Sequence, residues 1–222
     1  MRCIAVDYLS VVNKIKSKFS KQELKYYDLI VPFNELHLAS FGSNDVEGYQ
    51  IFTPEFIVKD MCKAIGEKEV FDSSKTILEP TSGDGAFTVY ILLKRLEKAY
   101  KDNKDNIEVE GLKALSTIYS NEMDKDLIIK QRNNILTAYV EFAKKKKIKW
   151  SGGYLDLIKC LIIKNFTWGM FNSDNPIDAG LFGTEVVYKM PQAEKGDYQT
   201  IEFPVWNITN GDIDFVMEGV DL

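Results

Sequence analysis

The chain has 222 residues, of which 45% are hydrophobic and 27% are charged, and its formal net charge is −5. This length and apolar content suffice to bury one core, so we expect one main domain with appendages. The slightly acidic balance excludes a protein coated with positive charge for nucleic acid, although it leaves room for a local basic patch.

The N-terminal residues and the cysteines both favour an intracellular protein. Residues 1–16 lack the apolar run of a signal peptide, and no segment is long enough to cross a bilayer. Cys3, Cys62 and Cys160 are scattered, without the spacing of a metal site. We therefore expect reduced thiols, no metal, no membrane contact and a cytoplasmic location.

Residues 5–31 carry apolar side chains at helical spacing, which predicts one or two amphipathic helices. These side chains are Leu9, Val12, Ile15, Phe19, Leu24, Tyr27 and Ile30. A turn-rich linker, residues 41–49, follows them. The chain therefore divides into an N-terminal helical extension, residues 1–48, and an α/β domain, residues 49–222.

The α/β domain begins with a predicted helix over residues 51–66, capped by Thr53. Its predicted apolar face consists of Ile57, Met61, Ala64 and Ile65. Strands are then predicted at residues 76–79, at 116–122 and within 148–157, with helices over 87–100 and 125–147 and a polar excursion at 101–111. This alternation predicts a parallel sheet with helices on both faces, and residues 160–171 and 200–208 are further candidate strands.

The first predicted strand runs into a glycine-rich loop, EPTSGDG, residues 79–85. Ligands of open parallel sheets bind at the carboxyl ends of the strands, and Gly83 and Gly85 allow a ligand to approach the backbone closely. The loop is not a P-loop, because no Gly-Lys-Ser/Thr follows, and Thr88 stands where a dinucleotide motif has its third glycine. Glu79 and Asp84 would repel a pyrophosphate, so the loop favours a cationic ligand.

The stretch EPTSGDGAF, residues 79–87, resembles the cofactor loop of class I methyltransferases, in particular the N6-adenine DNA methyltransferases of restriction-modification systems. That family has an acid-Pro-x-x-Gly-x-Gly-x-Phe motif after its first strand. The resemblance implies a Rossmann-like class I methyltransferase sheet and S-adenosyl-L-methionine as the cofactor, whose sulfonium and ammonium groups are positively charged. It also implies that the loop residues that bind this cofactor are Glu79, Pro80, Thr81, Gly83, Gly85 and Phe87.

Three further positions are similar to motifs of the same family, in the family's order. Phe52, Thr53 and Pro54 resemble an aromatic-Thr-Pro element that packs over the methionine end of the cofactor. Glu122 ends the second predicted strand, where the family's acid accepts hydrogen bonds from the ribose hydroxyls. Asp156, after the third predicted strand, matches the acid that binds the adenine amino group, although a solvated loop aspartate is the alternative.

The resemblance breaks at the catalytic motif, Asn/Asp-Pro-Pro-aromatic, which in this family activates the amino group of a flipped-out adenine. The nearest candidate is DNPID, which keeps Asn175 and Pro176 but has Ile177 and Asp178 at the last two positions. An ordinary Asn-Pro turn is the alternative, because a carboxylate cannot stack on a base. The residues that remain are too few for a target-recognition domain, which implies DNA selection by a separate subunit or domain.

Three functions therefore remain open from the sequence. The first is an S-adenosylmethionine-dependent DNA adenine-N6 methyltransferase, or the catalytic subunit of one. The second is a cofactor-binding subunit that has lost the chemistry. The third, disfavoured by Asp84 and Thr88, is an NAD-dependent oxidoreductase.

Several polar and aromatic residues outside these motifs admit simple interpretations. The lysines within residues 143–150 either contact phosphates or end a helix, where they complement its dipole. His37, the only histidine, is assigned a structural role. Trp150, Trp168 and Trp206 are predicted core or edge residues.

Overall fold

The structure, a computed structural model, describes residues 6–38, 53–122, 124–168, 170–172, 187–189, 200–209 and 212–221. The helices in these ranges are α1 (Tyr8–Lys16), α2 (Lys21–Leu29), α3 (Glu55–Ile65), α4 (Glu67–Val70), α5 (Ala86–Asp102), α6 (Ile107–Ser116), α7 (Lys125–Lys146) and α8 (Tyr154–Asn165). The strands are β1 (Ile77–Glu79), β2 (Ile118–Glu122), β3 (Phe166–Trp168), β4 (Met170–Asn172), β5 (Val187–Lys189), β6 (Thr200–Ile208) and β7 (Ile213–Asp221). No helix of the described ranges combines the length and the apolarity needed to span a membrane.

A small parallel sheet organises the α/β part of the described chain, in the strand order β1-β2-β3. Glu79 lies opposite Ser120 in the first pair, and Glu122 lies opposite Trp168 in the second. Two helices occupy each crossover, α5 and α6 between β1 and β2, and α7 and α8 between β2 and β3. Strands β4 and β5 form one antiparallel pair and β6 and β7 another. The predicted mixed α/β architecture with parallel strands is thus confirmed.

Strand β2 lies at the centre of the core. All five of its residues are buried, and α5, α6, α7 and α8 each contact it. A strand enclosed in this way must be apolar or satisfy its polar groups internally, and β2 does both. The helices contribute fully buried apolar side chains to this core, among them Leu92, Leu96, Leu112, Ile135, Leu157 and Leu161.

The N-terminal residues form two helices, as predicted, and both pack against α8. Helix α2 begins with a capping box, in which the Ser20 hydroxyl accepts from the Glu23 N–H and the Glu23 carboxylate accepts from the Ser20 N–H. Val12, Ile15 and Tyr27 are buried, whereas Leu9 is exposed. Burial of this apolar stripe joins residues 6–38 to the same core as the sheet.

The predicted strands at 76–79, 116–122 and 200–208 correspond to β1, β2 and β6, and α5 and α7 lie where helices are predicted. The third parallel strand, however, was predicted too early in the chain. Residues 154–165 form α8, which Gly153 begins with a φ of 81°, and the strand follows at Phe166. Most of α8 is buried and apolar, so its periodicity cannot distinguish a buried helix from a strand.

The polar excursion predicted at residues 101–111 is also wrong, because α6 begins at Ile107. Ile107, Leu112 and Leu115 are buried, so the segment carries an apolar face that packs into the core, and Gly111 is its least favourable residue for a helix. Gly111 stands where a Cβ would lie only 2.5 Å from the hydroxyl oxygen of Tyr154. The glycine that weakens the helix in isolation therefore permits its close packing.

The buried face of α3 differs from the predicted one. Pro54 precedes the helix, without a side-chain cap from Thr53, and Val58 and Cys62 are the buried residues. The predicted face is exposed, Ile57 by 36%, Met61 by 47% and Ile65 by 67%. Helix α3 contacts α4 and α5. The apolar spacing in the sequence predicted one face of α3 as buried, but it could not show which face of the helix contacts α4 and α5.

Candidate functional site

The loop from Pro80 to Gly85 connects the carboxyl end of β1 to the first turn of α5. Both glycines of the loop adopt left-handed conformations, Gly83 with a φ of 57° and Gly85 with a φ of 92°. A Cβ on Gly83 would meet open space, whereas a Cβ on Gly85 would lie 2.7 Å from Cγ of Gln131. Gly83 is therefore the glycine with room beside it, and Gly85 is required for packing.

Three backbone N–H groups of the loop have partners within the protein. The Ser82 N–H donates to the Asn121 carbonyl oxygen at 3.0 Å, and the Gly85 N–H donates to the Ser82 carbonyl oxygen at 3.0 Å. The Gly83 N–H donates to Oε2 of Glu122 at 2.7 Å. A phosphate-binding loop directs such N–H groups at its ligand, so this arrangement does not suit a pyrophosphate.

Glu122 ends β2 and lies directly beside the loop. Its carboxylate accepts from the Gly83 N–H at Oε2 and from the Asp124 N–H at Oε1, the latter at 2.9 Å. The side chain is buried, with 8% of the residue exposed. Each carboxylate oxygen can accept more than one hydrogen bond, so these contacts leave acceptor capacity for a ligand. The structure thus brings Glu122 and the loop together.

Glu79 is the least satisfied polar residue of this site. Its Oε2 is buried and has no hydrogen-bond partner in the described part of the chain. The pKa of the Glu79 carboxyl is raised to about 8, chiefly by burial; a hydrogen bond from the Thr88 backbone opposes this rise, and the negative charges of Asp84 and Glu122 add to it. A cation placed beside Glu79 would stabilise its charged form.

Asp84 lines the same cavity wall as Glu79, as the sequence predicts, but it is paired within the protein. The residue is only 2% exposed, and its Oδ2 forms an ion pair with Nζ of Lys130 at 3.4 Å. The lysine offsets part of the negative charge of Asp84, yet that charge still contributes to the raised pKa of Glu79, as the charge of Glu122 does. Three carboxyl groups, those of Glu79, Asp84 and Glu122, therefore surround the loop.

A cavity of about 220 Å³ opens between the loop and the start of α3. It is lined by Thr53, Glu79, Thr81, Ser82, Gly83, Asp84, Ala86 and Phe87. The volume lies below the range of about 300–1,000 Å³ typical of pockets for whole drug-sized ligands. This cavity could enclose one end of a nucleoside cofactor, such as an amino-acid moiety.

The cavity unites five of the eleven predicted cofactor residues. Thr53, Glu79, Thr81, Gly83 and Phe87 line it. Pro54 is next to Thr53 at the start of α3. Pro80 and Gly85 belong to the loop without lining the cavity. The Pro80 carbonyl oxygen accepts from the Asn121 amide at 3.4 Å, and Gly85 packs on Gln131.

Asp156 is not brought to the loop. It lies in the first turn of α8, and its Oδ1 accepts from the Tyr27 hydroxyl of α2 at 3.1 Å. The expected position depended on a strand predicted within residues 148–157, whereas the structure has this strand at Phe166–Trp168. Asp156 therefore joins the N-terminal helices to α8. Phe52 and the candidate catalytic residues Asn175 and Pro176 lie outside the described residues.

The loop also rests on polar residues of α7 that the sequence interpretation missed. Gln131 is fully buried, and its Oε1 accepts from the hydroxyls of Ser82 and Ser120 at 2.9 and 3.1 Å. Its Nε2 donates to the Thr88 hydroxyl at 3.0 Å. Asn134 donates to the Asp84 carbonyl oxygen at 3.0 Å. The visible signal was a run of four polar residues, QRNN, in the middle of a long helix.

The lysines near residue 145 lie far from this site. Helix α7 starts beside Glu122 and ends at Lys146, and Lys147 terminates it with a φ of 56°. At 1.5 Å per residue the helix is about 33 Å long. These lysines do end the helix, as one of the two interpretations predicts. Phosphates held there would lie at the opposite end of α7 from the glycine loop.

A larger cavity, about 450 Å³, lies near the amino end of β1. Its wall includes Arg95, which is fully buried and donates to the Val70, Lys75 and Ala114 carbonyl oxygens and to the Thr117 hydroxyl. These bonds tie the entry of β1 to α6, which is a structural role. Trp206 also lines this cavity, and its indole N–H donates to Asn165 at 2.8 Å.

Within the described ranges, no three or more His, Cys, Asp or Glu side chains are grouped so that they could hold a metal ion. His37 stacks beside Phe33, with a centroid distance of 4.5 Å, and its backbone bonds to Asn134. Comparisons of the chain with known protein families, curated proteins and solved structures found no match.

Proposed function

We propose that the chain binds S-adenosyl-L-methionine at the loop from Pro80 to Gly85, with the methionine end in the cavity beside Glu79. The observation that carries the proposal is the buried Oε2 of Glu79, which lines the cavity wall and lacks a partner in the described part of the chain. A buried acceptor without a partner is unfavourable by about 1–3 kcal/mol, and an ammonium group would satisfy it.

The position of Glu122 supports the same ligand. Glu79 and Glu122 end neighbouring parallel strands, so a ligand at the loop meets one carboxylate on each side. An elongated molecule with a cation at one end and vicinal hydroxyls farther along matches this pair. An NAD-type ligand would place its pyrophosphate at N–H groups that are already bonded and beside two acids.

We further propose that the chain acts in adenine-N6 methylation of DNA, as the cofactor-binding part of a methyltransferase that works with a separate specificity subunit or domain. This proposal rests on three elements that follow one another in the chain and meet at one loop: Thr53-Pro54, the motif EPTSGDGAF and Glu122. In such a reaction the adenine amino nitrogen attacks the methyl carbon, the carbon–sulfur bond breaks, and the sulfonium becomes a neutral thioether. The amino group releases one proton.

Binding of the cofactor is tested first, by calorimetric titration with S-adenosyl-L-methionine and, separately, with NADH. We expect Glu79→Gln to weaken S-adenosylmethionine binding by about tenfold or more, because the isosteric amide removes the charge that faces the ammonium. Glu97→Gln on the exposed part of α5 is the matched control, since it removes the same charge far from the loop and should bind normally. Absence of S-adenosylmethionine binding to the unaltered protein would overturn the proposal.

Methyl transfer is tested with cofactor labelled in the methyl group and mixed-sequence DNA, with and without extract that supplies partner subunits. Label in N6-methyladenine supports the methyltransferase. Cofactor binding without transfer in any mixture supports the alternative, a cofactor-binding subunit without chemistry, which the departures at Ile177 and Asp178 favour.

A further inference from the structure

Helix α7 holds the glycine loop at two points, through two residues that lie about one turn apart. Gln131 bonds to Ser82 of the loop, to Ser120 of β2 and to Thr88 of α5, so its amide joins the three elements that meet at the loop. Asn134 bonds to the carbonyl oxygen of Asp84. Residues three apart in a helix share one face, so both amides point at the loop.

Asn134 has a second set of contacts, with the irregular segment 31–38 that follows α2. Its Oδ1 accepts from the His37 N–H at 2.9 Å, and its Nδ2 donates to the His37 carbonyl oxygen at 3.3 Å. One fully buried amide therefore binds the loop and segment 31–38 at the same time. Buried amides of this kind are held rigidly, because each donor and acceptor needs its partner.

Segment 31–38 also has anchors on α7 that do not involve the loop. Asn133 accepts from the Val31 N–H at 3.1 Å, and the Thr137 hydroxyl accepts from the Phe33 N–H at 2.8 Å. Asn133 and Asn134 are thus adjacent, both buried and both bonded to the same segment, but only Asn134 also bonds to the loop.

We propose that Gln131 and Asn134 are positioning residues that set the shape of the ligand-binding loop, and that Asn134 couples this loop to segment 31–38. Neither residue lines the cavity, so their effect on a ligand is exerted through Ser82 and Asp84. The assignment of the ligand rests on the proposed function, whereas the coupling itself is independent of it.

Two variants compare the residue that bonds to both the loop and segment 31–38 with its neighbour that bonds to the segment. Asn134→Asp keeps the acceptor for the His37 N–H and replaces the donor to the carbonyl oxygens of Asp84 and His37, so segment 31–38 keeps one of its two bonds to residue 134. Asn133→Ala removes a bond to segment 31–38 and leaves the loop bond intact. Asn134→Ala, which removes both contacts without adding a charge, replaces Asn134→Asp if the aspartate variant does not fold.

Hydrogen exchange followed by mass spectrometry measures the loop peptide, residues 79–88, and the segment peptide, residues 31–38, at matched distance below each variant's melting temperature. We expect Asn134→Asp to speed exchange of the loop peptide about three- to tenfold and Asn133→Ala to speed only the segment peptide. The dissociation constant for S-adenosyl-L-methionine should rise about three- to tenfold in Asn134→Asp and stay within about twofold in Asn133→Ala.

Equal loop exchange in Asn133→Ala and in both Asn134 variants would overturn the coupling. If the unaltered protein binds no S-adenosyl-L-methionine while the two variants still differ in loop exchange, the proposed ligand is wrong and the positioning roles stand.

Discussion

The carboxylate of Glu122 accepts a hydrogen bond of 2.7 Å from the backbone N–H of Gly83, 39 residues earlier in the chain. This contact joins the end of β2 to the middle of the glycine loop. It satisfies an N–H that would otherwise be available to an anion, and it places a carboxylate beside the loop. If the loop binds the proposed ligand, we expect this arrangement to favour a positively charged group over a phosphate.

Replacing Glu122 by alanine should destabilise the protein by about 1–3 kcal/mol, because the Gly83 and Asp124 N–H groups lose their acceptor. Glu122→Gln retains one acceptor oxygen and should lose about half as much. Urea unfolding at equilibrium measures both changes. Equal stability of the alanine variant and the unaltered protein would contradict the role of Glu122 as the acceptor for the loop.

The two loop glycines should respond differently to alanine. Gly83→Ala meets only the strain of a left-handed backbone, about 1 kcal/mol, since nothing lies near the added Cβ. Gly85→Ala adds an overlap with Gln131, which three hydrogen bonds hold in place, so we expect a loss of about 2–4 kcal/mol. Thermal unfolding compares the two variants.

The double variant Gly85→Ala with Gln131→Ala tests the cause of that difference. Removal of the glutamine relieves the overlap, so the two destabilisations should sum to more than the loss measured for the double variant. Strict additivity would show that the backbone conformation of Gly85, and not its contact with Gln131, determines the cost.

The stability of the protein should depend on pH through Glu79. The pKa of its carboxyl is about 8 in the folded state and near the ordinary value of 4.5 in the unfolded chain. The folded state therefore binds this proton more tightly than the unfolded chain does. The stabilisation that the protonated Glu79 carboxyl provides is complete below pH 4.5, and it is lost as the pH rises through 8.

Glu79→Gln removes this titration. We expect the variant and the unaltered protein to be similar near pH 4.5, and the variant to be more stable by up to about 5 kcal/mol at pH 9. Urea unfolding at both pH values provides the comparison. A constant difference between the two proteins from pH 4.5 to 9 would show that Glu79 has an ordinary pKa.

Affinity for S-adenosyl-L-methionine should rise with pH over the range in which the ligand keeps its charge. A cation needs Glu79 deprotonated, so the association constant should increase by up to about tenfold per pH unit between pH 5.5 and 7, below the titration of the ligand's amino group. Glu79→Gln should bind weakly and without this slope. A flat profile for the unaltered protein would exclude Glu79 as the acceptor of the cation.

The sequence by itself determined the elements around the loop. The β-branched stretch before Glu79, the stretch that ends at Glu122 and the apolar spacing of α5 and α7 each carry their own local signal. Once these strands are parallel, their carboxyl ends must meet at one edge, so Glu79, the loop and Glu122 could be placed together without coordinates.

Only the tertiary structure decided which side chains around that edge remain available to a ligand. Lys130 pairs with Asp84, Tyr27 binds Asp156, and Gln131 and Asn134 support the loop from α7, and each of these contacts joins residues that local periodicity does not relate. The same is true of α3, where contacts with neighbouring helices select the buried face. It is also true of α6, where burial of apolar side chains favours a helix in a segment predicted to be a polar excursion. Local sequence encodes backbone preference over a few residues, whereas burial and charge neutralisation depend on atoms that folding brings together from distant parts of the chain.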